Sequence, residues 1–268
     1  MLKDITLGQY FPGNSIAHKL DPRTKILLVT LYIIALFSAK GWMGYAVMAV
    51  TLAACVKVSH VGLRALVRGL KPLVFIIAFT GILNMFFTPD THYLWEWGIL
   101  RVSVKGIENA LFMVIRIMLL VMGTFLMTYT TSPIRLTDGL ESLLNPLKKI
   151  HVPVHELAMM MAIALRFIPT LIEETDKIMS AQKARGADFD SGNIFQKAKA
   201  LVPILVPLFI SAFRRADELA TAMECRCYHG GEGRTKLHVL KYQRRDYVAL
   251  TGGAAILALV VVLRRLGA

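Results

Sequence analysis

Two short stretches in the C-terminal half of the chain, Ala181-Gln-Lys-Ala-Arg185-Gly186 and Ala222-Met-Glu-Cys-Arg226-Cys227, end polar-flanked helical segments on the same residue type, an exposed arginine. Aligned on those arginines, Ala181 falls opposite Ala222 and Gln182 opposite Met223. Acidic residues precede each tip, Glu173, Glu174 and Asp176 in one case and Asp217, Glu218 and Glu224 in the other. Glycines follow: Gly186 and Gly192 after the first, Gly230, Gly231 and Gly233 after the second. Small side chains let a helix end approach another backbone, and a planar guanidinium with five donors can enter a groove and meet carboxylates or carbonyls there. A lone arginine in a last turn does no more than complement the helix dipole and cap carbonyls, worth about 0.3–1 kcal/mol. Two in matched contexts point to docking, although periodicity alone does not name the partner.

Other residues that invite chemistry are weaker. His151, His155 and Glu156 resemble metal ligands, but the spacing is not His-Glu-x-x-His and Pro153 interrupts the helix, so no metal site is expected. Cys225-x-Cys227 lacks a second ligand pair. Arg116 lies inside an apolar run, where a charge is expensive; it is a functional candidate, or it pairs with Glu108, or it is buried in a bundle. Met159-Met160-Met161 reads as core packing or as adaptable contact surface. No phosphate-binding Gly-x-x-x-x-Gly-Lys-Ser/Thr loop occurs, and the apolar runs hold no nucleophile with a base. Catalytic residues and a bound cofactor are therefore not expected.

The elements that must carry the tips are set by composition. At 55% hydrophobic residues and a mean hydropathy of +0.54, with a net charge of +13, the 268-residue chain reads as an integral membrane protein with a basic aqueous face. Nucleic acid is excluded as a partner, because zinc-finger spacing, ribonucleoprotein aromatics and a basic helix free of apolar runs are all missing. Anionic lipid headgroups and a cytoplasmic partner account for the charge. Met1-Leu-Lys-Asp-Ile5 carries no apolar stretch with a cleavage site, so no removed signal peptide is expected, and three cysteines suit a reducing compartment.

Asp21 and Pro22, in Leu20-Asp-Pro-Arg-Thr-Lys25, predict a helix start, followed by a span from about Ile26 to Ala39. Lys40-Gly41 allows a tight reversal into a second span, Trp42 to Val58, and an amphipathic link, Val61 to Leu70, leads to a third, Pro72 to Phe87. An aromatic loop from Thr88 to Trp97 precedes the fourth span, Ile107 to Tyr129, and Tyr247 to Leu263 is long enough to be the last. The expected fold is all-α and polytopic, with about five transmembrane helices. Residues 1–131 carry helices one to four, residues 132–246 form a cytoplasmic coupling region with the two arginine-tipped helices, and residues 247–268 carry the last span. That middle region holds seventeen of the thirty-one lysines and arginines, which places it and the N-terminus in the cytoplasm. Within it, Val152 to Ile172 contains His155, Glu156, Arg166 and Pro169, and the run from Leu201 to Phe213 is short and broken by Pro203 and Pro207. Neither is expected to cross; both should lie along the inner face or against the other spans.

These motifs resemble a known family, the transmembrane T component of energy-coupling factor (ECF) transporters, which includes the cobalt-transport Q protein. The resemblance covers nearly the whole chain. It rests on Leu20-Asp-Pro-Arg-Thr-Lys25, Thr131-Ser-Pro-Ile-Arg-Leu-Thr137, Pro146-Leu-Lys148, Leu165-Arg-Phe-Ile-Pro169 and the two arginine stretches. It implies that the triplets Ala184-Arg185-Gly186 and Cys225-Arg226-Cys227 end coupling helices whose arginines dock into grooves on two cytoplasmic ABC ATPase subunits. The second triplet departs from Ala-Arg-Gly at both flanks, so the central arginine is what carries over. It further implies that vitamin or transition-metal substrate is held by a small membrane-embedded S component and that ATP is hydrolysed by the partners, making this chain a non-catalytic subunit. The competing readings are a self-sufficient secondary transporter, which should show inverted repeats and midplane charges beyond Arg116, and an intramembrane enzyme or sensor.

Overall fold

Asp21 and Pro22 do start the first long helix. In the computed structural model, Asp21 accepts from the Arg23 amide at 2.9 Å and Pro22 occupies the first turn, where its missing N–H costs nothing. The structure describes residues 10–88, 93–97, 100–187, 189, 193–231 and 239–266; Met1 to Ile5, Gly192, Gly233 and the part of the aromatic loop from Pro89 to His92 lie outside them. A short helix α1 (Ile16–Lys19) precedes α2 (Pro22–Ser38). Gly41, at φ +66°, makes the reversal into α3 (Gly41–Ser59). Then α4 (Leu63–Leu70) and a 3-10 turn (Lys71–Leu73) run into α5 (Val74–Phe87). Strands β1 (Tyr93–Trp97) and β2 (Leu100–Ser103) form an antiparallel hairpin where a loop is expected. The aromatic and aliphatic residues of that segment favour extended backbone, and pairing satisfies its amides. Next come α6 (Val104–Thr130), α7 (Pro133–Leu144), a 3-10 segment (Asn145–Ile150), α8 (Val154–Ala184), α9 (Ile194–Cys225) and α10 (Arg244–Arg265).

The fold is all-α apart from that hairpin, and the protein is a multi-pass membrane protein. Among the described residues six helical segments are, by length and composition, apolar enough to cross a bilayer: Gly41–Ser59, Leu63–Phe87, Val104–Thr130, Val154–Ala184, Phe195–Cys225 and Arg244–Arg265. The expected first span, α2, has 17 residues and a rise of about 26 Å, a little short of a typical hydrocarbon core. The third expected span extends back through α4 to Leu63, because Pro72 sits in the 3-10 turn and does not end the helical path.

The chain divides into two units. One comprises residues 8–142 and 240–268. Its core gathers Leu36, Met48, Leu66 and Val260, all fully buried, with Tyr45, Leu52, Leu119 and Tyr129 around them. Helix α5 packs along α6 and α10 along α2, and α6 also touches α2, α3 and α4. The outward side chains, among them Phe37, Val50, Phe75, Phe79 and Val248, are apolar and exposed, as lipid requires. Threonines in the helices return their hydroxyls to carbonyls one turn back, for example Thr30 to Ile26 and Thr51 to Val47, which hides their polarity. Arg116 is partnered by Tyr45 rather than by Glu108: its Nε donates to the Tyr45 hydroxyl at 2.9 Å, and the guanidinium lies 5.7 Å from the ring centres of Phe37 and Tyr45. The Tyr45 hydroxyl and the two rings thus take up the charge of this half-buried side chain.

The polar end of this unit ties three helices together. Asp246 is buried; one oxygen accepts from the Asp21 amide at 2.9 Å and the other from the Gln243 amide at 2.8 Å, so one carboxylate closes the starts of both α2 and α10. Lys25 Nζ donates to the Thr130 carbonyl at 2.8 Å and to Thr131 Oγ1 at 2.9 Å, fastening α2 to the end of α6. Arg23 pairs with Asp21 and lies 4.3 Å over the Tyr242 ring. The Leu20–Lys25 and Thr131–Thr137 motifs are therefore neighbours in space.

The other unit comprises residues 143–239, and α8 and α9 are its long elements. Helix α9 runs unbroken through Pro203 and Pro207, where a break is expected. Pro207 has no N–H to offer the Pro203 carbonyl, but Gln182 of α8 donates its side-chain amide there at 3.4 Å. Tertiary contact thus returns a partner to that carbonyl. Helix α8 likewise passes through Pro169, whereas Pro153 forms its N-cap.

Candidate functional site

Arg185 is the C-cap of α8, and its amide bonds back to Ala181 and Gln182. Gly186 follows at φ +88° and donates to Lys183 at 3.0 Å, while the Ala187 amide reaches Gln182 at 3.0 Å. This pair of bonds is the Schellman closure, in which a left-handed residue turns the chain off the helix axis. Arg226 ends α9 in the same way: Cys227 at φ +55° donates to Glu224 at 2.8 Å, and the Tyr228 amide reaches Met223 at 3.0 Å. Atom for atom the backbone closures correspond, with Gly186 and Cys227 in equivalent positions.

Both arginines are exposed, as are Ala184, Gly186, Cys225 and Cys227, and the cysteines are free thiols. Among the described residues neither guanidinium takes a hydrogen bond or an ion-pair partner. Ten donors, five on each tip, are therefore presented at two helix ends whose backbone is already satisfied. Cys227 carries a left-handed cost of roughly 1–2 kcal/mol that glycine avoids. Cys227→Gly should slow exchange of the Tyr228 amide about fivefold, and Gly186→Cys should speed exchange of the Ala187 amide by a similar factor, from about 1 kcal/mol each. Hydrogen exchange by mass spectrometry checks both; unchanged rates in both variants would contradict this closure.

Beneath the tips the two helices cross. Arg215 Nη2 meets Glu174 Oε2 at 3.0 Å, and Glu174 also accepts from Ser211, one turn away on α9. Gln182 meets Pro203 at one side of this bridge, and at the other Gly231 lies so close to His155 that a β-carbon there would clash with the imidazole. The pairing order runs in opposite directions along the two helices, so they are antiparallel. The bridged residues are 41 positions apart in sequence, the same offset that separates Arg185 from Arg226. Equivalent positions of the two arginine stretches thus meet at the crossing. Identical charges could not meet there, and opposite ones do. Each arginine stands eleven residues beyond its bridge residue, an arm of about 16 Å.

In the sequence Glu174 stands in an acidic run that does not by itself mark its partner. The signal was present: aligning the stretches on their arginines sets Arg215 opposite Glu174. The role of Gln182 had no such signal, because the carbonyl it serves is freed by a proline 25 residues away. His151 occupies the left-handed cap of the 3-10 segment, and His155 lies in the first turn of α8 beside Gly231. Among the described residues, no group of three His, Cys, Asp or Glu side chains is placed to hold a metal ion.

Comparison with known proteins matches residues 13–237 to the model of the CbiQ family, described as cobalt transport protein. Curated relatives carry the name energy-coupling factor transporter transmembrane protein EcfT. That of Ruminiclostridium cellulolyticum is 53% identical over 98% of this chain and 98% of its own length. That of Acidaminococcus fermentans is 56% identical over 98% and 97%, and that of Bacillus subtilis 46% identical over 98% and 100%.

Proposed function

The chain belongs to the CbiQ cobalt transport protein family as an energy-coupling factor transporter transmembrane component, and from that premise we propose that it couples two ABC ATPase subunits to a membrane-embedded S component during micronutrient uptake. The observation that carries this reading is the pair of equal arms. Two arginine tips, each eleven residues from a crossing at which equivalent positions meet, suit two equivalent grooves related by a twofold axis. Arg185 and Arg226 enter those grooves, and Ala184, Gly186, Cys225 and Cys227 are small enough to admit the helix ends closely.

In this reading residues 1–131 and 247–268 form the membrane part, with spans α2, α3, α4 to α5, α6 and α10. Residues 132–246 form the cytoplasmic coupling region. The N-terminus then lies in the cytoplasm, in keeping with the basic residues of that region. Approach of the two ATPases on binding ATP moves both tips, the Glu174–Arg215 crossing acts as the pivot, and the apolar faces of α8 and α9 shift the S component. Vitamin or transition metal is the substrate of that partner; hydrolysis belongs to the ATPases.

Affinity purification of the tagged full chain from native membranes tests the reading. It should recover ATP-hydrolysing subunits together with at least one small hydrophobic protein. An Ala184→Cys variant of a chain whose own Cys55, Cys225 and Cys227 are replaced by serine should react with an impermeant thiol reagent only from the cytoplasmic side. Recovery of the chain alone, or labelling from outside, would overturn the assignment.

A further inference from the structure

Between the starts of α1, α2 and α10 and the facing sides of α3 and α6 runs a cleft of about 660 Å³, walled by residues such as Leu28, Leu31, Leu52 and Ile256. Among the described residues its charged lining residues are all cations, Lys25, Arg244 and Arg245, and no Asp or Glu lines it. Lys25 is only 6% exposed. Two of its three ammonium protons go to Thr130 and Thr131, and among the described residues the third has no acceptor and the charge has no ion-pair partner. Asp246, the nearby buried carboxylate, spends its oxygens on the Asp21 and Gln243 amides. Arg244 and Arg245, exposed and without ion-pair partners among the described residues, stand in the first turn of α10, where the helix dipole is itself positive.

A buried cation with a spare donor and two guanidiniums, against the single carboxylate of Asp246, leave a net positive site at the mouth of an apolar slot. Free phosphate would satisfy the cations and leave the slot bare. A neutral lipid would fill the slot and leave the cations unmet. Gly252 widens the cleft from α10, since a β-carbon there would meet nothing within 4 Å. We propose that this cleft binds one anionic phospholipid, its phosphate held by Lys25, Arg244 and Arg245 and an acyl chain lying along Leu28, Gly252 and Ile256.

The test is native mass spectrometry of the full chain in detergent with phosphatidylglycerol, phosphatidylcholine of the same acyl chains, or inorganic phosphate. One phosphatidylglycerol should remain bound per chain, with phosphatidylcholine distinctly weaker and inorganic phosphate unable to displace it. Arg244→Gln/Arg245→Gln should weaken phosphatidylglycerol binding about 30-fold, at about 1 kcal/mol for each basic group. Gly252→Leu should block lipid retention without lowering the unfolding temperature, because its new side chain enters open space on a helix that tolerates leucine. Equal retention of both lipids, displacement by inorganic phosphate, or phosphatidylglycerol binding that survives both variants would overturn the proposal.

Discussion

An Arg185→Glu/Arg226→Glu double variant is expected to insert and fold normally, lose its ATPase partners on purification, and lose uptake. Folding should survive because both side chains are exposed and, among the described residues, bond to nothing in the chain; the helix closures use backbone alone. On the proposed docking, assembly should fail because each tip loses a charge-assisted contact and sets a carboxylate against a groove that receives a cation. Truncating one partner of such a pair costs about 2–5 kcal/mol. The two helices are antiparallel, so the tips lie on opposite sides of the Glu174–Arg215 bridge, each about 16 Å along its helix, far enough apart for their losses to add. Two losses then amount to on the order of a thousandfold in affinity or more. Each single variant should retain one docked arm and intermediate uptake. Co-purification and whole-cell uptake measure the two consequences separately, and full uptake by the double variant would remove the arginines from the mechanism.

What the sequence disclosed and what it withheld follow from the range of the interactions concerned. Asp21 and Pro22 act within one turn, so the start of α2 was legible, as was Gly41 at the reversal. The equivalence of the two arginine stretches was legible from their alignment, although the left-handed Cys227 was not, because cysteine carries no preference for that conformation. The continuity of α9 was hidden. Two prolines four residues apart forecast a break, and only Gln182 on another helix supplies the donor that Pro207 lacks. The partner of Arg116 was hidden for the same reason: Tyr45 lies 71 positions away, whereas Glu108 is on the same helix and invited a local pairing that the bundle does not make. Composition fixed the class, local chemistry fixed the helix ends, and the side-chain contacts between helices had to be seen.

Asp246 was likewise inconspicuous in sequence, a polar residue at the edge of the last apolar run, yet it is buried, and Asp246→Ala is expected to destabilise the chain markedly. Its two oxygens accept from Asp21 and Gln243, the N-cap residues of α2 and α10. Removing them orphans the Asp21 amide, which is buried, at about 1–3 kcal/mol, and breaks the capping box of α10 at about 1 kcal/mol. The freed Gln243 amide is the bond lost from that box and adds nothing beyond it; the residue is exposed, so water takes the place of the carboxylate. A total of about 3 kcal/mol should lower the unfolding temperature in detergent by roughly 10 °C. Asp246→Asn, which keeps one acceptor and turns an NH2 toward the other amide, should fall between the variant and the parent. The loss should also loosen the junction of α2 with α10, visible as faster amide exchange at the starts of both helices while the α8–α9 pair is unaffected. An Asp246→Ala protein that unfolds within a degree of the parent would show that this carboxylate does not hold the two helix starts together.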